Sequence, residues 1–496
     1  MRSTTIHLHT KFSIAPVDPR IFGGFLEHMG RAVYEGVYDP RSAHADADGF
    51  RTDVLNALRR LRFSVMRYPG GNFVSGYHWE DGIGPRHQRP LRIEKAWDSQ
   101  EPNQVGTDEF LSLCRKMDWQ PMLTVNLGSG STEEARNWVE YCNGAAGTTY
   151  GDRRAANGQP EPYGVKLWCL GNEMDGPWQI GHCAAEEYAT RAHAAARAMR
   201  SVDASIETVA CGSSATNMPT FADWDARVIA HLDDQADFIS LHRYVGNYTD
   251  NTRDYLAIGN SIDRQIEDIA AVVRAEQARR KSDKRIYLSF DEWNVWYKTM
   301  DPDKLGAQGK FPAHLIEEVY TLEDALVVAG FLNSFVRHAD CVKVANLAQI
   351  VNVIAPLLTR GDELLVQSIF YPLEMFARRR HGVALRTAID GPTYSSAYGE
   401  AAEVDCSAIH DGDRLHVFAT NRHLDEPAAV RLDLADRRFT RLVDAEVLGG
   451  SDPKAANSFE QPHAVDSQPF DQVRIDDRGA QLTIPPLSFV AATFCL

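Results

Sequence analysis

Two glutamates each close a short apolar run. Glu173 follows Val165-Lys166-Leu167-Trp168-Cys169-Leu170-Gly171-Asn172, and Glu292 follows Arg285-Ile286-Tyr287-Leu288-Ser289-Phe290-Asp291. Both runs read as buried β-strands, because aliphatic, aromatic and β-branched residues dominate and turn residues with a helical pattern follow. A carboxylate at a strand end is costly to bury unless it is paired or used. Two of them facing one substrate bond supply an acid and a nucleophile, the pair that cuts a glycosidic bond. A separation of ~5–5.5 Å implies a retaining, two-step reaction, and ~6.5–9.5 Å implies inversion through a bound water. The bland alternative is that each glutamate only caps the turn after its strand. Strand and glutamate alone do not say which would be the acid.

The elements that must position this pair alternate along the chain. Strands are expected at Ile21–Leu26, Arg62–Arg67, Pro121–Asn126, Val165–Leu170, Ile206–Cys211, Asp237–His242, Arg285–Phe290 and Cys341–Leu347. Helical spacing falls between them. Thr107 is the expected N-cap of one helix, with Phe110, Cys114 and Met117 on its inner face, and Ser131 that of the next, ahead of Glu133 and Glu134. Ile262, Ile266, Ile269 and Val273 mark a third, and Thr321 to Asp324 opens a fourth. Eight such units predict an α/β fold, a (β/α)₈ barrel whose function lies in the loops after its strands. The fourth and seventh strands are expected on opposite sides of it, with Glu173 and Glu292 converging over the axis. Long loops are expected at 68–106, 144–164 and 293–320.

Past residue 383 the pattern changes to strict alternation, as in Leu415, Val417, Ala419 and in Val430, Leu432, Leu434. This predicts a second, smaller all-β sandwich domain, joined by a strand carrying Ile6 and Leu8. The expected division is 1–17, an N-terminal strand joining the sandwich; 18–382, the barrel; and 383–496, the sandwich.

The 496 residues carry a formal charge of -16, which repels nucleic acid and anionic membranes and suits a neutral substrate. The eight cysteines are scattered without metal spacing, and read as reduced, buried apolar residues. No apolar leader follows Met1 and no run reaches spanning length, so a cytoplasmic protein is expected. Gly128-Ser129-Gly130 opens a helix after a strand, as a dinucleotide loop does, but lacks the third glycine and the distal acidic residue. No metal or organic cofactor is expected.

Longer motifs carry a resemblance. Gly171-Asn172-Glu173-Met174-Asp175-Gly176-Pro177-Trp178-Gln179 and Phe290-Asp291-Glu292-Trp293-Asn294-Val295-Trp296-Tyr297 resemble the two signatures of family 51 α-L-arabinofuranosidases, in the clan of retaining barrel glycosidases. Phe22 to His28, Arg67 to Phe73 and Gly106 to Phe110 extend the likeness over nearly the whole chain. The resemblance implies Glu173 as acid/base and Glu292 as nucleophile. It implies Glu27, Asn72, Asn172 and Gln349 on the furanose hydroxyls, Tyr244 on the nucleophile, with His242 beside it, and Trp97 and Trp296 as apolar platforms. It further implies an intracellular homo-oligomer, commonly a hexamer, acting on an arabinose-containing saccharide. Read without the family, Asn72 is also a turn residue after two glycines, Glu27 an ion-pair partner for Arg67, and any single tryptophan plain core. The segment Ala96 to Val105 departs from the family pattern at Gln100 and Pro102. An endoglucanase or β-xylosidase of the same family, and a non-catalytic carbohydrate-binding barrel, are the other readings.

Overall fold

The computed structural model describes residues 2–301 and 305–496, so Met1 and part of the expected 293–320 loop lie outside the described residues. Eight parallel strands close into a barrel in chain order. They are β1 (Gly23–Phe25), β2 (Val65–Tyr68), β3 (Gln120–Val125), β4 (Leu167–Leu170), β5 (Glu207–Ala210), β6 (Phe238–Val245), β7 (Tyr287–Val295) and β8 (Val342–Ala348). The barrel interior is apolar at its lower level, where Val65, Met122, Leu167, Cys169, Val209, Phe238 and Val344 cluster. Polar and charged side chains begin one level higher, at Arg67 and Asp291, both buried. The strands thus pack a dry plug beneath a polar mouth.

The helices between strands follow the expected spacing. Ser131 caps Thr132–Asn143 by accepting from Glu134 N, and Ile262, Ile266, Ile269 and Val273 are buried along Gly259–Arg280. Thr321 caps Leu322–Arg337, with the Asp324 carboxylate accepting from Thr321 N. Thr107 departs from its expected role. The helix is Thr107–Met117 with Gly106 at the cap, because the Thr107 hydroxyl accepts the Trp138 indole N–H at 3.1 Å, while Glu109 turns back to accept from Gly106 N. The expected loops also contain structure: a hairpin of Arg92–Glu94 and Ser99–Glu101 in the first, and a helix Thr149–Ala156 in the second.

The C-terminal region is all-β and separate from the barrel. A seven-stranded sheet runs in the order Ser13–Pro16, Val383–Leu385, Val404–Asp411, Arg414–Asn421, Ser488–Cys495, Arg441–Gly449, Ser467–Pro469. A five-stranded sheet contains Arg2–Leu8, which pairs parallel with Ala428–Leu434 and antiparallel with Ala388–Asp390. Ile6, Leu415, Val417, Val430 and Leu432 are buried in its core, on the alternating positions. All eight cysteines are free thiols.

Candidate active site

The strongest local signal at the barrel mouth is a break in alternation. On β6 and β7, Ser240 pairs with Ser289 but His242 pairs with Glu292, so three residue steps on β7 match two on β6. On the other side Phe290 pairs with Ala345 and Trp293 with Leu347, again three against two. One extra residue is therefore bulged into β7 at Asp291–Glu292, as bulges often are beside active sites. Its consequence is geometric. Phe290 and Trp293 both pack outward on Phe331 and Phe335, while two consecutive carboxylates, Asp291 and Glu292, turn inward.

Arg67 of β2 meets them. Its guanidinium donates to Glu292 Oε1 at 2.6 Å and to Asn172 Oδ1 at 2.7 Å, and its Nε lies 3.8 Å from Asp291. The alternative pairing of Arg67 with Glu27 is thus not the one found. Burial would weaken the guanidinium, but Asp291 and Glu292 hold it firmly cationic. The other oxygen of Glu292 accepts the Tyr244 hydroxyl at 3.0 Å; burial and the charge of Glu292 push that phenol far up, so it stays a neutral donor. Space for the pair is left by Gly71, where a Cβ would sit 2.7 Å from Glu292 Oε1.

Glu173 approaches from the loop after β4. Gly171 takes φ +85° and Glu173 itself φ +43°, a left-handed conformation that costs a non-glycine residue about 1–2 kcal/mol. The turn aims its carboxyl at His242, whose Nδ1 lies 2.8 Å from Glu173 Oε1 and 3.5 Å from Glu292 Oε2; Nε2 faces Asp291 at 3.2 Å. Glu173, His242 and Glu292 each present an atom within 4.8 Å of the others. The two strands are not opposite each other: β5 and β6 stand between β4 and β7, and His242 of β6 fills the gap. Burial raises the Glu173 carboxyl, and the charge of Glu292 adds to this against the hydrogen bonds from His242 and Trp178. Burial opposes the charged form of His242, but Glu292 and its bonds to Asp291 and Glu173 hold the ring well above its ordinary value.

A second group lines the same mouth from β1. Glu27 is buried and accepts from Phe73 N at 3.0 Å, the Trp97 indole at 3.1 Å and Gln349 Nε2 at 3.2 Å. Burial, then the charge of Glu292, raises its carboxyl to about 7. Gln349 also accepts from Glu27 N at 2.7 Å, so both ends of its amide are engaged. Asn172 donates to Gln179 at 3.4 Å. Asn72 heads a short 3₁₀ turn without capping it, so its half-buried side chain is not a turn anchor. Trp296 is half-buried, packing edge-on to Tyr244 at 5.4 Å.

Asp291, Arg67 and Trp178 belong to the site but were not singled out as its members from sequence. Trp178 is half exposed and donates to Glu173 Oε2 at 2.6 Å. The Phe-Asp-Glu-Trp order, apolar on both sides of two acids, was the available signal for the bulge. In contrast, the amides of Gly128, Ser129 and Gly130 all point at Asn126 Oδ1 at 3.0 Å, so donors that would cradle a phosphate are already used.

A (β/α)₈ barrel with two buried glutamates meeting at its C-terminal mouth defines the class of barrel glycoside hydrolases. Residues 57–257, which include Glu173, match the family described as Alpha-L-arabinofuranosidase 1 domain, and residues 291–488, which include Glu292, match Alpha-L-arabinofuranosidase C-terminal domain. The chain belongs to the family 51 α-L-arabinofuranosidases. It is 42% identical over 488 residues to the intracellular exo-alpha-(1->5)-L-arabinofuranosidase of Halalkalibacterium halodurans, covering 97% of this chain and 98% of that one. Identity to intracellular exo-alpha-(1->5)-L-arabinofuranosidase 1 of Bacillus subtilis is 43%, over 99% of this chain and 98% of the relative. Among solved structures, a family 51 α-L-arabinofuranosidase from Bifidobacterium longum superposes with a TM-score of 0.95 at 38% identity, covering 100% of both chains.

Proposed function

We propose that this exo-acting α-L-arabinofuranosidase releases terminal arabinofuranose by double displacement with retention. The observation that carries the reading is that an oxygen of Glu173 and an oxygen of Glu292 lie within 4.8 Å of each other, an approach that favours the close spacing of a retaining pair over the wider gap an inverting pair keeps for its water. The surroundings support the division of labour. Glu292 has a permanent counter-charge in Arg67 and a neutral donor in Tyr244, and serves as nucleophile at the anomeric carbon. Glu173, raised by burial, gives its proton to the leaving oxygen as the glycosidic bond breaks. The Glu292 ester is then opened by a water that Glu173 deprotonates, which restores both groups.

In this reading Glu27, Asn72, Asn172 and Gln349 hold the ring hydroxyls, Trp97 and Trp296 flank the sugar and its leaving group, and His242 orders Glu173. The domain limits are 1–17, 18–382 and 383–496. The intracellular naming of the relatives supports a cytoplasmic enzyme acting on small arabino-oligosaccharides, and no helix among the described residues is long and apolar enough to cross a membrane. We read it as a homo-oligomer, hexameric as the family resemblance implies. Relatives are named for (1->5) and for (1->6) linkages, so both belong in substrate trials.

The test is 4-nitrophenol release from α-L-arabinofuranoside, β-D-xylopyranoside and β-D-glucopyranoside, with Glu292→Ala alongside. Turnover confined to the furanoside and lost in the variant is expected. Turnover of a pyranoside, or an active Glu292→Ala, would overturn the reading.

A further inference from the structure

Trp97 rides on the hairpin Arg92–Glu94/Ser99–Glu101, in which Arg92 lies opposite Glu101 and Glu94 opposite Ser99. Ile93 on its outer side is 80% exposed, so the hairpin buries little apolar surface with which to fix itself. Two buried carboxylates do so instead. Glu101 anchors the base: one oxygen accepts the Tyr34 hydroxyl at 2.5 Å and Asn103 N at 2.6 Å, and the other faces His28 Nδ1 at 2.8 Å.

Glu94 anchors the tip. Its Oε1 accepts from Ala96 N at 2.6 Å and its Oε2 from Trp97 N at 2.7 Å, two short bonds to a charged acceptor. The tip is then held from the far side, where Trp97 O accepts from Ala307 N at 2.7 Å and Asp98 O from Gly309 N at 2.6 Å. The backbone of Trp97 is thereby fixed on both faces, and its indole N–H reaches Glu27 Oε1 at 3.1 Å. Among the described residues no cation pairs with Glu94. Burial raises its carboxyl, and the partners that work against that burial include the tip amides of Ala96 and Trp97.

We propose that Glu94 is a positioning residue for Trp97, fixing the indole against Glu27 on the wall of the sugar subsite and so setting affinity for the terminal furanose without touching it. This rests on the reading of Trp97 and Glu27 as sugar-contacting groups. Gln100, one of the two departures from the family pattern, is exposed on the opposite strand, away from this anchor.

The test is a cycle of Glu94→Ala, Trp97→Phe and the double variant, with Glu94→Gln as a milder change that keeps one acceptor oxygen. KM and kcat on 4-nitrophenyl α-L-arabinofuranoside are measured together with thermal midpoints. Both single variants are expected to raise KM on the order of 10-fold with kcat within about 2-fold, the double variant no further than either, and Glu94→Gln to fall between. Independent, multiplying effects of Glu94→Ala and Trp97→Phe would overturn the proposal. So would a lowered midpoint and kcat in both Glu94 variants at unchanged KM, the mark of a merely structural role. An unchanged KM in Trp97→Phe would instead remove the subsite reading on which the proposal stands.

Discussion

Two buried ionic clusters in this molecule obey the same electrostatics and arrive at opposite results. At the seam between barrel and sandwich, Arg337 bridges Asp263 at 2.8 Å and Asp405 at 2.9 Å, with Arg422 3.4 Å from Asp405 and His338 3.2 Å from Asp263. Two arginines and a histidine face two aspartates there, and Arg337 with its neighbours holds both aspartates below the ordinary carboxylate range despite burial. At the barrel mouth Glu173, Asp291 and Glu292 share Arg67 and His242, while a fourth carboxylate, Glu27, accepts from the neutral donors Phe73 N, Trp97 and Gln349. Carboxylates outnumber cations, and burial raises Glu173 and Glu27. A matched cluster stays charged and holds two domains together. An unmatched one shifts its carboxyls toward the protonated form, the direction a general acid requires.

The largest expected effect removes the mouth's nucleophile: Glu292→Ala should lower kcat on the order of 10⁴-fold or more, measured on the aryl arabinofuranoside. Next, Glu173→Ala should depend on the leaving group. Loss of about 10²–10⁴-fold is expected with alkyl or sugar leaving groups, while release of a first equivalent of nitrophenol remains fast and the second step slows. Equal loss for every leaving group would break the assignment of the acid. At the seam, Asp405→Ala leaves Arg337 and Arg422 short of a partner and should cost about 3–5 kcal/mol in denaturant unfolding. KM and kcat of the folded fraction should not change; a changed KM would mean that the two clusters are not separate. The smallest effect concerns Glu27. Its carboxyl in the folded protein titrates at about 7, against 4.5 ordinarily, so the folded state binds the extra proton and stability falls as pH rises between these values. Glu27→Gln should flatten that part of the thermal-midpoint profile.

The barrel was legible because each strand is an apolar run bounded by turn residues, and all eight expected strands are present. Their ends were less so. β6 and β7 continue to Val245 and Val295, past His242, Arg243, Asp291 and Glu292, because Tyr244 and Val245 keep pairing with Asn294 and Val295. Polar residues that look like loop are strand when their neighbours are strand. The same extension hid the bulge, since a register shift exists only between two paired strands. Glu173, Glu292 and Tyr244 are visible through their motifs, whereas the bond from Arg67 to Glu292 spans 225 positions and has no local trace. Thr107 is not the N-cap for a related reason, its hydroxyl being claimed by a tryptophan 31 residues away.

The central claim is that the mouth cluster supports double displacement, and the stereochemistry of the first-formed product tests it most directly. Proton NMR during early hydrolysis of an α-L-arabinofuranoside should show α-L-arabinofuranose appearing first, with the β anomer growing only through mutarotation. Initial appearance of the β anomer would mean single displacement, and would contradict the account of Glu292 as nucleophile.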